Sequence, residues 1–315
     1  MRPVNDPREL FERAANGERR ALSRLVSLVE NGGDPAREAL SLVWPHTGGA
    51  RILGITGPPG SGKSTLTNAL VKHLRLQGHT VGVIAVDPSS PFTGGAILGD
   101  RIRMSSHALD SGVYIRSMGT RGQLGGLSAA CTGAARVLDA CGFAYIILET
   151  VGVGQSEVAV ARCADVVTVV SGPGMRDDVQ ASKAGILEIG DIFVVNKCDL
   201  PGADRVVLEL KSMLDMDQTG EKKNAPVLKT SASSFMGIEA YGEALDAMWQ
   251  QFAESGELAK RRQQRLQSEL LEIMQSEIIR RAALPKPGTQ AMEAFMQEKK
   301  NPYEWVDATL SQILK

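Results

Sequence analysis

The chain has 315 residues, 43% of them hydrophobic, which is enough to bury a core of full domain size. Its 35 lysines and arginines nearly balance 36 aspartates and glutamates, and aromatic residues make up only 4%. Without a basic field or many stacking platforms, neither nucleic acid nor an anionic membrane is expected as a main partner. No apolar run approaches the roughly twenty residues a membrane helix needs, and the charged N-terminus has no secretory pattern, so a cytoplasmic location is expected. Cys131, Cys141, Cys163 and Cys198 lack C-x-x-C spacing and sit apart from histidine clusters, which argues for reduced thiols over a zinc site or a disulfide framework.

In chain order, residues 7–44 read as helices. Leu10, Phe11 and Ala14, then Leu22, Leu25, Val26 and Val29, recur at helical spacing, with breaks at Asn16-Gly17 and Gly32-Gly33. From Arg51 the pattern changes to short β-rich runs at 51–56, 81–86, 143–148, 166–170, 191–195 and 226–230, separated by longer helical stretches. Such alternation predicts an α/β fold with a mostly parallel central sheet flanked by helices. Beyond about residue 236 no strand signal returns. Leu266, Leu270, Met274 and Ile278 mark one stripe of a long helix, and Pro285 to Gly288 interrupt it before two short terminal helices. The expected organisation is an N-terminal helical segment (1–48), a central α/β domain (49–255) and a C-terminal helical extension (256–315).

After the first strand, Gly57 to Thr65 reads GPPGSGKST, which fits G-x-x-x-x-G-K-[ST] and opens a helix over 62–77. Glycines let a backbone wrap closely around a polyphosphate, while helix-end amides and the helix dipole stabilise its charge. Pro58 and Pro59 have no amide hydrogen, so donation falls mainly to Gly60 through Ser64. The phosphate-binding candidates are therefore Gly57, Gly60, Ser61, Gly62, Lys63, Ser64 and Thr65. Lys63 is expected at the β and γ phosphates, and the Ser64 hydroxyl at Mg²⁺.

Asp87 and Glu149 follow predicted strands, and Asp100 ends the glycine-rich loop that begins at Gly94. Ligands of open α/β sheets bind at the carboxyl ends of strands, so Asp87 and Glu149 can converge on the phosphate site. By spacing alone, a helix cap or turn is an equal reading of each acid.

A later strand runs into Asn196, Lys197, Cys198 and Asp199, an N-K-x-D sequence. An Asp carboxylate there can accept from the N1–H and exocyclic amine of guanine. Adenine presents an acceptor at N1 and leaves the carboxylate mispaired, a cost of about 1–3 kcal/mol or more. Thr230, Ser231 and Ala232 close the next strand as a second base-contact loop would. The base candidates are Asn196, Lys197, Asp199, Ser231 and Ala232, with GTP and GDP as the expected ligands.

Four segments together resemble the MeaB/ArgK/MMAA family of G-protein chaperones. They are Val86–Pro91 (VDPSSP), Thr93–Met104 (TGGAILGDRIRM), Glu149–Glu157 (ETVGVGQSE) and Asn196–Asp199 (NKCD). The likeness runs over about residues 8–255. It implies the dimerising SIMIBI branch of P-loop GTPases, in which Glu replaces the Asp of the usual D-x-x-G signal. On that resemblance Asp100 and Glu149 belong with Ser64 to the magnesium shell. Asp87 is the switch acid beside the metal and the attacking water, and Gly152 and Gln155 lie in a switch loop. Gly174–Lys183 resembles the family's additional switch, from which Asp177, Gln180 and Lys183 are carried over, the last as a catalytic candidate. Gly119–Gly126 (GTRGQLGG) departs from the commoner family wording.

The resemblance implies a homodimer, with the C-terminal extension as candidate dimerising arm, whose GTP binding and hydrolysis gate adenosylcobalamin delivery to an acyl-CoA mutase and protect or rescue that enzyme. Slow hydrolysis alone, stimulated by the mutase, is expected. The rival readings are a nickel-insertion GTPase of the same branch, a small-molecule kinase, and an adaptor with an inert nucleotide.

Overall fold

The computed structural model describes residues 6–87, 107, 109–119, 124–150, 160–174, 187–216, 224–282, 288–297 and 301–313. Two compact units divide the chain, Met1–Arg261 and Arg262–Lys315.

In the first unit, three helices, α1 (Pro7–Ala15), α2 (Arg19–Asn31) and α3 (Asp34–Val43), precede β1 (Arg51–Thr56) and α4 (Lys63–Leu76). There follow β2 (Val81–Asp87), β3 (Val113–Gly119), α5 (Leu124–Ala140), β4 (Tyr145–Thr150), β5 (Val166–Ser171), β6 (Ile192–Val195), α6 (Ala203–Asp215), β7 (Val227–Lys229) and α7 (Ile238–Ser255). The strands form one sheet in the order β3-β2-β4-β1-β5-β6-β7, and each neighbouring pair runs parallel.

Both faces of this sheet are covered, so its central strands read as continuous apolar runs; β4 and β5 are buried at each position. Side chains alternate between faces along each strand. Ile84, Val86, Ile146 and Leu148 pack with α1, α2, α3 and α5, whereas Val81, Val83, Tyr145 and Ile147 pack with α4 and α7. Helix α6 closes a third cluster over Phe193 and Val195. The N-terminal helices thus share a core with the sheet: α2 buries Ala21, Leu22, Leu25, Val26 and Val29 on one stripe.

Strand β3 is absent from the sequence-derived set. Its apolar start, Val113 to Ile115, runs into Arg116, whose guanidinium pairs with Glu30 on α2 at 2.5 Å. The charge that makes the segment read as a loop is matched by a helix about ninety residues earlier. Strand β4 begins two residues later than expected and retains Glu149 and Thr150, because it is paired on both sides, by β1 and by β2.

At the amino ends of the strands, carboxylates take up amides that the ladders leave over. Asp139 accepts from Gly48, Gly49 and Ala50 at 2.6–3.2 Å, Asp165 from Ile52 at 3.1 Å, and Asp191 from Val167 at 2.8 Å. Asp191 also accepts from both terminal nitrogens of Arg261, at 2.7 and 2.9 Å, and the Arg261 guanidinium lies 4.3 Å from the Phe252 ring centre.

The second unit holds most of α8 (Glu257–Ala282), then α9 (Gln290–Gln297) and α10 (Pro302–Ile313). Phe295 and Trp305 meet edge to face at 6.0 Å. Within this unit, Leu270, Met274 and Ile278 of the expected stripe are 51%, 58% and 38% exposed. Among the described residues no helix is long and apolar enough to cross a membrane.

Removing the guanidinium leaves the buried Asp191 carboxylate short of two charge-assisted bonds. Arg261→Ala is expected to cost about 2–3 kcal/mol in urea denaturation while leaving nucleotide affinity intact.

Candidate functional site

The site stands on the carboxyl edge of the sheet, where β1, β4, β6 and β7 end beside one another or one strand apart. Residues 57–62 turn from β1 into α4. Gly57 and Gly62 have φ of +134° and +89°, and a Cβ on either would collide, with the Val170 carbonyl and with the Asn196 amide nitrogen respectively. Only glycine satisfies both the backbone and the close approach at these two positions. Gly60 also has positive φ, Ser61 is buried, and Thr65 is exposed on the first turn of α4.

Lys63 is the first residue of α4 and is 6% exposed; its ammonium donates to the carbonyls of Gly57 at 2.7 Å and Pro58 at 3.0 Å. The loop therefore closes around its own cation, beside the N-terminus of α4. The Ser64 hydroxyl donates to Glu149 Oε1 at 2.6 Å, with both side chains buried. Glu149 reaches it because β4 pairs directly with β1, Ile55 lying opposite Glu149.

The second half is organised by Asn196, which is 2% exposed. Its amide nitrogen donates to the carbonyls of Ser61 at 3.0 Å and Gly62 at 3.3 Å. Its amide oxygen accepts from the Ala232 amide at 3.1 Å and the Thr230 hydroxyl at 3.2 Å. One side chain therefore ties the glycine-rich loop to the loop after β7. Lys197 has φ of +59° and donates from Nζ to the Gly60 carbonyl at 2.7 Å, a second tie to the same loop. Asp199 is exposed; a hydrogen bond from Ser231, then one from its own backbone amide, holds its carboxyl below the usual range. It therefore remains an acceptor at neutral pH.

The structure thus brings together Gly57, Gly60, Ser61, Gly62, Lys63, Ser64, Thr65, Glu149, Asn196, Lys197, Asp199, Ser231 and Ala232. Asp87 is the last residue of β2, on the same edge, paired with Gly119; its side chain lies outside the described residues. Asp100, Gly152, Gln155, Asp177, Gln180 and Lys183 also lie outside them. Thr230 was not among the expected site residues. Its place at the head of the T-S-A triplet was the available signal, but its role depends on a hydrogen bond to Asn196 across two strands.

A parallel sheet, a glycine-rich loop opening a helix, and an N-K-x-D segment bonded to that loop define a P-loop protein of the guanine-nucleotide-binding class. Within it, the model of the family described as methylmalonyl Co-A mutase-associated GTPase MeaB matches residues 22–286. The chain belongs to this family of GTPases. It is 44% identical to a GTPase of Pyrococcus horikoshii, over 100% of this chain and 99% of that one. It is 38% identical to the GTPase ArgK of Escherichia coli, over 81% and 80% of the two chains. It is 34% identical to the mitochondrial methylmalonic aciduria type A homolog of Mus musculus, over 81% of this chain and 66% of that one. Among solved structures, a LAO/AO transport system kinase aligns over the full length of both chains, with a TM-score of 0.73 and 26% identity.

Truncating Asn196 removes four hydrogen bonds at the joint between the two loops. Asn196→Ala is expected to weaken GTP and GDP alike by about 10- to 100-fold in calorimetry, because part of the roughly 4 kcal/mol that four hydrogen bonds of about 1 kcal/mol each hold at this joint must then come from the ligand.

Proposed function

We propose that the chain is a GTP-hydrolysing chaperone that gates adenosylcobalamin delivery to an acyl-CoA mutase of the methylmalonyl-CoA mutase type, and protects or reactivates that enzyme. The family's association with methylmalonyl Co-A mutase and the name of the mouse relative support the partner. The bridge from Ser61 and Gly62 through Asn196 to Ala232 supports the nucleotide chemistry, because it couples a phosphate cradle to a base loop in one rigid piece.

In this reading Lys63 exchanges its loop carbonyls for the β and γ phosphates, with the amides of Gly60 to Thr65 around them. Ser64 and Glu149 offer hard oxygen donors 2.6 Å apart at the start of α4, which suits Mg²⁺, with Asp87 and Asp100 completing the shell. The bound cation would neutralise charge on the phosphates. Asp87 orients the attacking water, and Lys63 stabilises the charge that develops as the terminal bond breaks.

Guanine lies against Asn196, Lys197, Asp199, Ser231 and Ala232, with Asp199 accepting from N1–H and the exocyclic amine. Gly152, Gln155, Asp177 and Gln180 serve as switch positions, so that the GTP and GDP states bind the mutase differently. Hydrolysis is slow until the mutase supplies or repositions a stabilising group, with Lys183 as the candidate. The half-exposed stripe of Leu270, Met274 and Ile278 supports a homodimer.

Co-purification with candidate mutases tests the partner: complex formation that depends on a non-hydrolysable GTP analogue supports the reading, and nucleotide-independent or absent binding overturns it. Lys183→Ala is expected to lose most mutase-stimulated hydrolysis; full stimulation in that variant removes Lys183 from the mechanism. Asp199→Asn presents a donor where guanine's amine needs an acceptor. GTP should bind about 10- to 100-fold more weakly, while xanthosine triphosphate, with a carbonyl at that position, gains correspondingly.

A further inference from the structure

We propose that Thr56 and Thr150 form a positioning pair for Glu149, holding the end of β4 against β1 where their main-chain pairing stops. The inference rests on the reading of Glu149 as part of the cation shell. The β1–β4 register runs from Arg51 opposite Tyr145 to Ile55 opposite Glu149 and ends there. One residue further, Thr56 is paired only with β5, through Val169, and Thr150 only with β2, through Val86. The cause is Gly57, which turns the chain over the Val170 carbonyl of β5 to start the glycine-rich loop.

Across the resulting gap the two hydroxyls lie 3.0 Å apart, with Thr56 and Thr150 0% and 1% exposed. A side-chain hydrogen bond thus takes over from the ladder directly behind the carboxylate. Valine would fill these β-branched positions equally well if only burial mattered, and a buried hydroxyl is costly unless bonded. Because side chains alternate along β4, Thr150 points to the face of Leu148 and Ile146, opposite the face on which Glu149 meets Ser64. The pair therefore fixes the backbone from behind and leaves the carboxylate side open to ligand. Without it, Thr150 is held by β2 alone, and Glu149 stands on the last rung of the β1–β4 pairing with nothing beyond it on the β1 side to fix the Ser64–Glu149 spacing.

The test compares the affinity for a non-hydrolysable GTP analogue in excess Mg²⁺ with that in EDTA, by calorimetry, so that hydrolysis does not enter. Thr56→Val combined with Thr150→Val preserves shape and strands no hydroxyl, so the fold should survive. The affinity ratio is expected to fall on the order of tenfold, as for other groups that orient a metal ligand, with EDTA affinity unchanged. Thr56→Ser and Thr150→Ser, which keep the hydroxyls, should retain the wild-type ratio. A wild-type ratio in the double valine variant, with Glu149→Gln lowering it, overturns the positioning role alone. A wild-type ratio in Glu149→Gln overturns the cation-shell reading and this inference with it. If the double valine variant does not fold, Thr150→Cys, a weak hydrogen-bonding partner, must show the same fall.

Discussion

The architecture of the site depends on Asn196, a buried amide that uses donor and acceptor together. A nucleotide has two chemically unlike ends, and a protein that reads both must hold two loops at a fixed separation. Here the loops follow β1 and β7, which are three places apart in the sheet. Strand pairing alone relates them only through β5 and β6. Asn196 shortens that path to a single side chain, and glycine at position 62 is what allows it to approach. Because the amide nitrogen and oxygen serve different loops, neither loop can shift without losing bonds at the other. That is the mechanical condition for a base-specific site to sense what occupies the phosphate cradle.

Much of this was legible in the sequence because it is local. A strand, six residues of tight turn and a helix lie together in the chain, so the spacing of GPPGSGKST carries its own structural context. The N-K-x-D segment is equally compact, and its meaning as a second half-site followed from standing downstream of the first. What escaped was relational. Strand β3 has Arg116 at its middle, and nothing in the local pattern shows that Glu30 on α2 matches the charge. The β4 boundary was drawn before Glu149, where apolar residues end, but strand pairing on both sides carries the ladder through it. Thr230, Thr56 and Thr150 look like ordinary β-branched strand residues until their hydroxyl partners are known.

The acidic residues show the same division. By spacing, each acid near a strand end could be a cap or a ligand-facing group, and residue type does not separate the two. The sheet edge does. At the amino edge Asp139, Asp165 and Asp191 accept from backbone amides and, at Asp191, from a guanidinium, so their charge serves to hold strands and helices together. At the carboxyl edge of a parallel sheet the strand-end carbonyls already make the surroundings electronegative, and helix N-termini point toward it. An acid placed there, such as Glu149 or Asp199, has hydroxyl partners, Ser64 and Ser231, that can be exchanged for a ligand without breaking the fold.

That asymmetry is what the proposed switch requires, a change confined to one edge that leaves the scaffold intact. The amino-edge carboxylates and the two-sided apolar core fix the strands without involving ligand. At the carboxyl edge the Ser64 hydroxyl, the Glu149 carboxylate and the Lys63 ammonium are bonded in ways that a cation or phosphate oxygens can replace, whereas the Asn196 amide bonds stay within the protein. On the proposed reading, exchanging those groups costs less hydrogen bonding than opening an apolar core would, so more of the free energy of the terminal phosphate is left to select among arrangements of the loops. A loop attached to a rigid strand end is displaced as a unit when its anchoring bond is exchanged. In the proposed switch, the coupling between phosphate and partner surface would therefore be set by how firmly the last rung of each strand is held.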